Sequence, residues 1–335
     1  MKDLTDNYRF SPKISIVMSF HKEPLQWIRL SVQSILSQTF KDFEFIIICD
    51  NPHHKEGIDY IRKTASQDSR IKFKVNDSNI GLTRSLNYGI MISEGEYIAR
   101  MDADDIACPE RLEIQACHLD NHPDTAICAT DAHIINDEGK TIRRNKYKGK
   151  YSRYGLFITN TIAHSSVMFR RSITESRQPI YNEDYKYAQD YELWQFLLLK
   201  GYRIDFIPRP LLLYRKSDIQ ISTANQSEQS EHFRKAHRAF IMNWLNAKGI
   251  VTSDNSDLPQ ILKDVGVKLN SFKGEDHKNL ILIIYLLYYS LILVDWRYGL
   301  KYIMDRNMII FRINPLLTYR LLTAKKARRR RTSLI

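Results

Sequence analysis

The sequence predicts an α/β protein: a mostly parallel, twisted sheet flanked by helices, followed by a helical C-terminal extension. Two observations carry this. Short apolar runs alternate with segments of helical period over the first hundred residues, a βαβαβαβ rhythm that implies a doubly wound parallel sheet. The runs themselves, such as Ile14–Met18 and Glu44–Cys49, are continuous rather than alternating, as strands buried on both faces are. At 335 residues and 43% hydrophobic, the chain has enough apolar surface for a large core.

In order along the chain, Ile14–Met18 is the first strand. Pro24 stands where a first helical residue would, and Leu25, Ile28, Val32, Ile35 and Leu36 follow at helical spacing. Residues 44–49 form the second strand, which stops at the turn signal Asp50-Asn51-Pro52. Residues 58–65 read as a helix and 71–75 as a third strand. Leu82, Leu86, Gly89 and Ile90 share a helical face, and Tyr97–Met101 is a fourth strand. Pro109 opens a helix with Leu112, Ala116 and Leu119 inward, ending before Pro123. Residues 126–129 form a strand, and Asp137-Glu138-Gly139 a hairpin-type turn between Ile134-Ile135 and Thr141-Ile142. Residues 143–160 are basic and aromatic, without a clear period. A strand is expected over 165–169, a helix over 190–199, short strands over 204–207 and 211–214, and a helix over 228–248 with Phe233, Ala236, Phe240 and Trp244 in register.

The segment 95–105 is where chemistry enters. The buried strand 97–101 runs into Asp102, Asp104 and Asp105. Side chains at i and i+2 of a strand share a face, so Asp102 and Asp104 point together from the carboxyl end of a sheet strand, where open α/β folds bind ligands. Carboxylates that close repel one another unless a hard divalent cation sits between them, and Mg²⁺ or Mn²⁺ keeps positions open for phosphate oxygens. The alternative is an acidic surface turn. No Gly-x-Gly-x-x-Gly or Walker loop is present, so a nucleotide would not be held in the dehydrogenase or ATPase manner.

Charge and cysteine exclude other classes. Of the net +12, residues 295–335 carry +9, so the body is nearly neutral. A nucleic-acid-binding fold would carry its basic face on the body, and no nucleic-acid partner is expected. Cys49, Cys108, Cys117 and Cys128 form no Cys-x-x-Cys pair and show no zinc spacing. Cys49 reads as a small buried hydrophobe, which fits a reducing, cytosolic compartment. Residues 1–12 are polar and lack an apolar signal core.

Taken together, several stretches resemble the family 2 glycosyltransferases with the GT-A fold. They are 14–19, 34–40, 43–50, Asn79–Leu82 with 87–89, 95–105, 164–170, Gln189–Trp194, and Tyr214-Arg215 with 220–222. The resemblance covers residues 13–222. It implies a catalytic domain over 1–222, with a nucleotide-binding half to about 105 and an acceptor-binding half over 106–222. Residues 223–335 would form the helical C-terminal region. For the matching positions it implies that Asp50 reads the nucleotide base and that Ser19 lies in the donor nucleotide site. Asp102 would contact the ribose or the metal, Asp104 would ligate the metal, and Asp190 would be the catalytic base. Asp105 shapes the turn. A helix N-cap accounts for Asp190 as well, and both roles are compatible. Arg84 lies where the family places an arginine near the nucleotide; a solvated helix charge explains it equally.

The chain departs from the family twice. His21 stands where many relatives carry a tyrosine against the base, so stacking on the base and an ordinary loop histidine are both open. Ser217 stands where many carry a metal-ligand histidine. His164, Trp194, Arg215 and Ser217 are placed on the acceptor or phosphate side. The resemblance implies an inverting, metal-dependent transfer, with Mn²⁺ or Mg²⁺, from a nucleotide sugar, a UDP-sugar, to a glycan or lipid-linked acceptor in surface polysaccharide assembly. The alternatives are a nucleotidyltransferase and a non-catalytic sugar-nucleotide-binding protein. The first would need a glycine-rich, basic loop after the first strand, and 19–24 has no glycine.

The C-terminal third adds a membrane expectation. Residues 280–294 are an apolar run of fifteen, spanning roughly 22 Å at about 1.5 Å per residue, short of a ~30 Å hydrocarbon core. Trp296, Leu300, Ile303 and Met304 continue the stripe beside Arg297 and Lys301, and six cations follow over 325–331. Apolar insertion plus a basic cluster suits peripheral binding to an anionic, cytoplasmic membrane face. A solvated or RNA-binding tail is the alternative.

Overall fold

The computed structural model describes residues 11–144, 156, 160–217 and 226–249. The chain falls into two units, Met1–His237 and Arg238–Ile335. The expected domain boundary near 222, the apolar run 280–294 and the basic tail lie outside the described residues. Among the described residues no helix is long and apolar enough to cross a membrane.

The first unit is built on a nine-stranded mixed sheet. Its first half follows the sequence closely. Strand β1 (Ile14–Phe20) has all seven residues buried and lies between β2 (Phe43–Cys49) and β4 (Tyr97–Asp102), parallel to both. Strand β3 (Ile71–Val75) adds to β2, also parallel. Crossovers are made by α1 (Leu25–Leu36), α2 (Lys55–Ala65) and α3 (Leu82–Met91). The strand pleat divides the core: Ile16 and Met18 face one apolar cluster with α1, α2 and α4 (Arg111–Asn121), while Val17 and Ile98 face another with α3 and α5 (Gln189–Leu199). Pro24 is the N-cap of α1 rather than its first residue, and α2 starts early because the His54 ring accepts the Gly57 N–H.

Residue 95 is glycine because β1 passes against it. A Cβ there would lie 2.5 Å from the Ser15 nitrogen and 2.8 Å from the Ile14 carbonyl carbon, and the Gly95 N–H donates to Ser15 Oγ at 2.8 Å. Gly95→Ala must therefore displace backbone. It is expected to destabilise the fold by roughly 1–3 kcal/mol, read as a lower Tm and an earlier denaturant midpoint.

The second half departs from expectation. Strand β6 (Thr125–Ile135) is one long strand, hairpinned to β7 (Thr141–Arg144). The expected strand at 165–169 is a 3-10 turn over His164–Ser166 followed by a three-residue strand, β8 (Met168–Arg170), antiparallel to β4 and β6. The two short strands expected at 204–207 and 211–214 are one, β9 (Arg203–Arg215), parallel to β6; its register shifts beside Pro208 and Pro210, where proline withholds a ladder donor. A two-residue strand, β5 (Ile106–Ala107), pairs antiparallel with β9 at Ile106↔Leu213. The sheet order is β3-β2-β1-β4-β8-β6-β9-β5, with the parallel pairing of β1 to β4 joined to a second half that mixes parallel and antiparallel pairs. A final helix, α6 (Gln226–Ala247), begins in the first unit. Cys49 and Cys128 are buried, and all four cysteines are free.

Candidate active site

Parallel registry brings the carboxyl ends of β1, β2 and β4 together, with Ser19 directly opposite Asp102. From there the chain turns through Ala103 to Asp105 and enters β5. Carboxylate oxygens of Asp102, Asp104 and Asp105 all lie within 4.8 Å of one another. Ser31 Oγ donates to the Asp102 carbonyl at 2.9 Å and fixes the turn from α1.

The three carboxylates differ in surroundings. Asp105 is fully buried; it accepts the Ser165 hydroxyl and, at 2.8 Å, the Arg215 N–H. Burial pushes its carboxyl well above the usual range, and Asp104 and Asp102 push the same way. It ties the turn to β9 and to the 164–166 turn, the shaping role expected of it. Asp102 and Asp104 are half-buried. All the donors are hard carboxylate oxygens, and the half-buried pair is backed by a third acid, so the residues present fit a divalent Mg²⁺ or Mn²⁺ ion held by Asp102 and Asp104.

Arg215 is fully buried and clamps the turn from below. Its Nε donates to the Asp104 carbonyl at 2.8 Å, its Nη1 donates to the carbonyls of Asn136 and Asp137 at 2.6 and 2.9 Å, and its guanidinium lies over Trp27. An acceptor or phosphate contact from Arg215 does not fit that placement. Ser217 follows it, buried, at the end of the described stretch. Trp194 is also displaced from its expected place: it has no exposed surface and sits in the α3/α5 core cluster. Its neighbours on α5, Leu193 and Leu197, carry the same apolar face inward.

On the nucleotide side, Asp50 is 2% exposed. Its carboxylate accepts from Asn76 Nδ2 (2.8 Å), the Ile80 N–H (2.9 Å) and the Gly81 N–H (2.8 Å), so it anchors the loop before α3. A carboxylate has about four acceptor positions, which leaves one for a ligand N–H. His21 bridges Asp50 and Asn79, with Nδ1 3.0 Å from the Asp50 carbonyl oxygen and Nε2 3.3 Å from Asn79 Nδ2. Arg84 pairs with Glu183 at 2.7 Å, an exposed link between α3 and the 183–185 turn.

Asp190 is the second residue of α5; the N-cap is Ala188. Its carboxylate accepts from Asn160 Nδ2 at 2.7 Å and from the Tyr191 N–H at 2.8 Å. Burial raises its pKa, and the charge of Asp102 adds to the rise. Tyr214 feels the same field: burial raises its phenol, and so do Asp105, Asp102, Asp104 and Asp190. The Asp102 charge thus reaches both the Asp190 carboxyl and the Tyr214 phenol. His164 has its Nε2 2.7 Å from the Tyr181 hydroxyl and its ring edge-on to Trp194. Burial first, and then the Arg100 charge, keep its imidazole neutral.

Two participants were not legible in the sequence. Arg100 is 2% exposed inside β4, and its Nη2 donates to Asp102 Oδ1. Its signal was a lone charge within an otherwise buried strand. Asn160 came from the stretch without a period, and no pattern pointed to it.

A curled α/β sheet with flanking helices and a carboxylate cluster at its strand ends defines a transferase of the GT-A type. The chain belongs to glycosyl transferase family 2, whose pattern matches residues 15–177. It is 32% identical over 212 residues to the O-antigen biosynthesis glycosyltransferase WbnJ of Escherichia coli, covering 62% of this chain and 81% of that one. Among solved structures, S. aureus TarS 1–349 in complex with UDP superposes with a TM-score of 0.58 at 15% identity, covering 88% of each chain. The mannosyltransferase PcManGT of Pyrobaculum calidifontis, in complex with GDP-Man and Mn²⁺, superposes with a TM-score of 0.55 at 13% identity over 96% of this chain and 83% of that one. At those identities the likeness is one of fold.

Proposed function

We propose that the protein is an inverting, metal-dependent glycosyltransferase that moves a sugar from a nucleotide sugar to a hydroxyl of a glycan or lipid-linked acceptor. The observation that carries this is the cluster of Asp102, Asp104 and Asp105 carboxylates, within 4.8 Å of one another at the strand ends; the Asp102 charge that reaches the buried Asp190 carboxyl supports a single site. Asp102 and Asp104 would hold the cation, which when bound supplies Lewis-acid stabilisation of the negative charge that builds on a departing diphosphate. Asp50, His21 and Ser19 line the end of the sheet where the nucleoside would lie. Asp190, held by Asn160 and the Tyr191 N–H, takes the proton from the acceptor hydroxyl. Its raised pKa makes it a better base than a solvent-exposed aspartate. Attack from the face opposite the leaving diphosphate, in a single displacement, inverts the anomeric carbon.

A UDP-sugar is the donor we favour; the TarS complex with UDP supports it, and the PcManGT complex with GDP-Man makes the guanine nucleotide its competitor. The relative in O-antigen biosynthesis supports a glycan acceptor. We place the reaction at the cytoplasmic membrane face on the composition of residues 280–331. The test is a panel of UDP- and GDP-sugars with Mn²⁺ or Mg²⁺, scored by diphosphate release and product linkage. Turnover of no nucleotide sugar with either metal, across a range of acceptors, would defeat the reading.

The pH profile follows from Asp190. A base must be ionised to act, and its folded pKa lies above the ordinary carboxylate value, so kcat is expected to fall on the acid side from a higher pH than an exposed aspartate gives. Measuring kcat between about pH 4 and 8 checks this; a flat profile down to about pH 4 contradicts it.

A further inference from the structure

We propose that the cavity beside Asp190 is the acceptor subsite, and that it takes a saccharide bearing an anionic group, phosphate or carboxylate, paired by Arg234. This rests on the reading of Asp190 as the base and deepens it. The cavity is a groove open to solvent, of about 430 Å³, lined by Asn160, Tyr187, Asp190, Gln229, Phe233 and Arg234, among others. That volume falls within the range of small-molecule sites, about 300–1,000 Å³.

The chemistry of the lining is what a sugar needs. Asn160 and Gln229 offer amide donors and acceptors, and two rings offer flat faces to C–H surfaces. Both rings are held in place: Phe233 stacks on Tyr191 at 4.5 Å between centroids and 7° between planes, and Tyr187 meets His232 edge-on at 5.6 Å. A pre-set wall of this kind costs little ordering when a ligand arrives.

Arg234 is the group a neutral sugar does not explain. It is exposed, on the first half of α6, and among the described residues no ion pair engages it. Among the described residues the Asp190 carboxylate accepts from Asn160 Nδ2 and the Tyr191 N–H, and no ion pair joins it to Arg234. A guanidinium that no described carboxylate engages, in a pocket also lined by amides and rings, matches a planar or tetrahedral oxyanion, which it can bind through two parallel N–H donors. The helix that supplies Arg234 also lies outside residues 15–177, the stretch that matches the family. Acceptor choice would then be written in a segment that the shared pattern does not cover.

The test uses the full chain saturated with UDP and Mn²⁺, so that the donor site is filled. Binding of glucose 1-phosphate, glucuronic acid and methyl glucoside is followed by ligand-observed NMR, in wild type and in Arg234→Gln, with Tm measured for both. At least one anionic probe is expected to bind about tenfold more tightly than methyl glucoside, and Arg234→Gln to erase that margin while methyl glucoside binding and Tm stay put. Preference for the phosphate probe assigns a glycosyl phosphate group, and preference for the uronate an acidic sugar; either supports the proposal. Equal binding of all three probes by wild type, or a margin that survives in Arg234→Gln, overturns it. Failure of the donor reading shows elsewhere, as absence of diphosphate release from any nucleotide sugar.

Discussion

Asp190→Asn is expected to lower kcat by about 10²–10⁴-fold, the range that a positioned general base contributes, with the fold intact. The side chain keeps its size at a site where burial already penalises the charge, so removal of that charge costs no desolvation energy. The hydrogen bonds argue for a small stability change rather than none. The wild-type carboxylate accepts from both Asn160 Nδ2 and the Tyr191 N–H, whereas an amide has one oxygen and one donor group. One of the two contacts becomes donor against donor unless Asn160 turns its amide. Asn160 Oδ1, however, already accepts the Ile162 N–H at 3.3 Å, so turning it trades one contact for another. A loss of about 1–2 kcal/mol in stability with nucleotide affinity unchanged is the expected pattern. Near-wild-type kcat in Asp190→Asn would remove the base from the mechanism.

That pattern depends on a site which the sequence revealed unevenly, and the unevenness has a physical cause. Strands β1, β2 and β4 are buried on both faces and joined by helices over short crossovers, so their apolar runs identify them locally. Asp102 and Asp104 stand out because strand periodicity places them before any tertiary contact is known. The second half of the sheet is assembled by long-range pairing. β5 is two residues long and exists only because β9 lies alongside it, and nothing within Ile106-Ala107 signals that. Pro208 and Pro210 read as a break between two strands, yet β6 carries the pairing across them with a register shift. Trp194 misled for a related reason. Within Gln189–Trp194 it shares a motif with Asp190, but the helix turns the two residues to different surroundings, one into the cavity and one into the core. Arg215 likewise looks like a phosphate ligand by type, and only the folded chain shows its Nε and Nη1 donating to the carbonyls of the acidic turn and of Asn136 and Asp137.

Asp104→Asn separates the acidic turn's structural role from its chemical one. Three carboxylates within 4.8 Å repel one another, and Asp104 is the first of the two charges that push Asp105 upward beyond what burial does. Neutralising it relieves that repulsion, so the metal-free protein is expected to be at least as stable as wild type. The response to metal should move the other way. An ion that binds only the folded state stabilises it by about 2.7 kcal/mol at one hundred times its Kd, and the wild-type Tm is expected to rise accordingly as Mn²⁺ is added. With one of the two half-buried ligands reduced to a neutral amide, that rise should vanish. Transfer should fall by about 10³-fold or more, close to 4 kcal/mol of lost stabilisation of the departing diphosphate. A variant that loses transfer but keeps the Mn²⁺-dependent Tm rise would put the cation elsewhere. One that keeps both would leave the acidic turn a surface feature of the sheet edge, with Asp105 and Arg215 holding it there for packing alone.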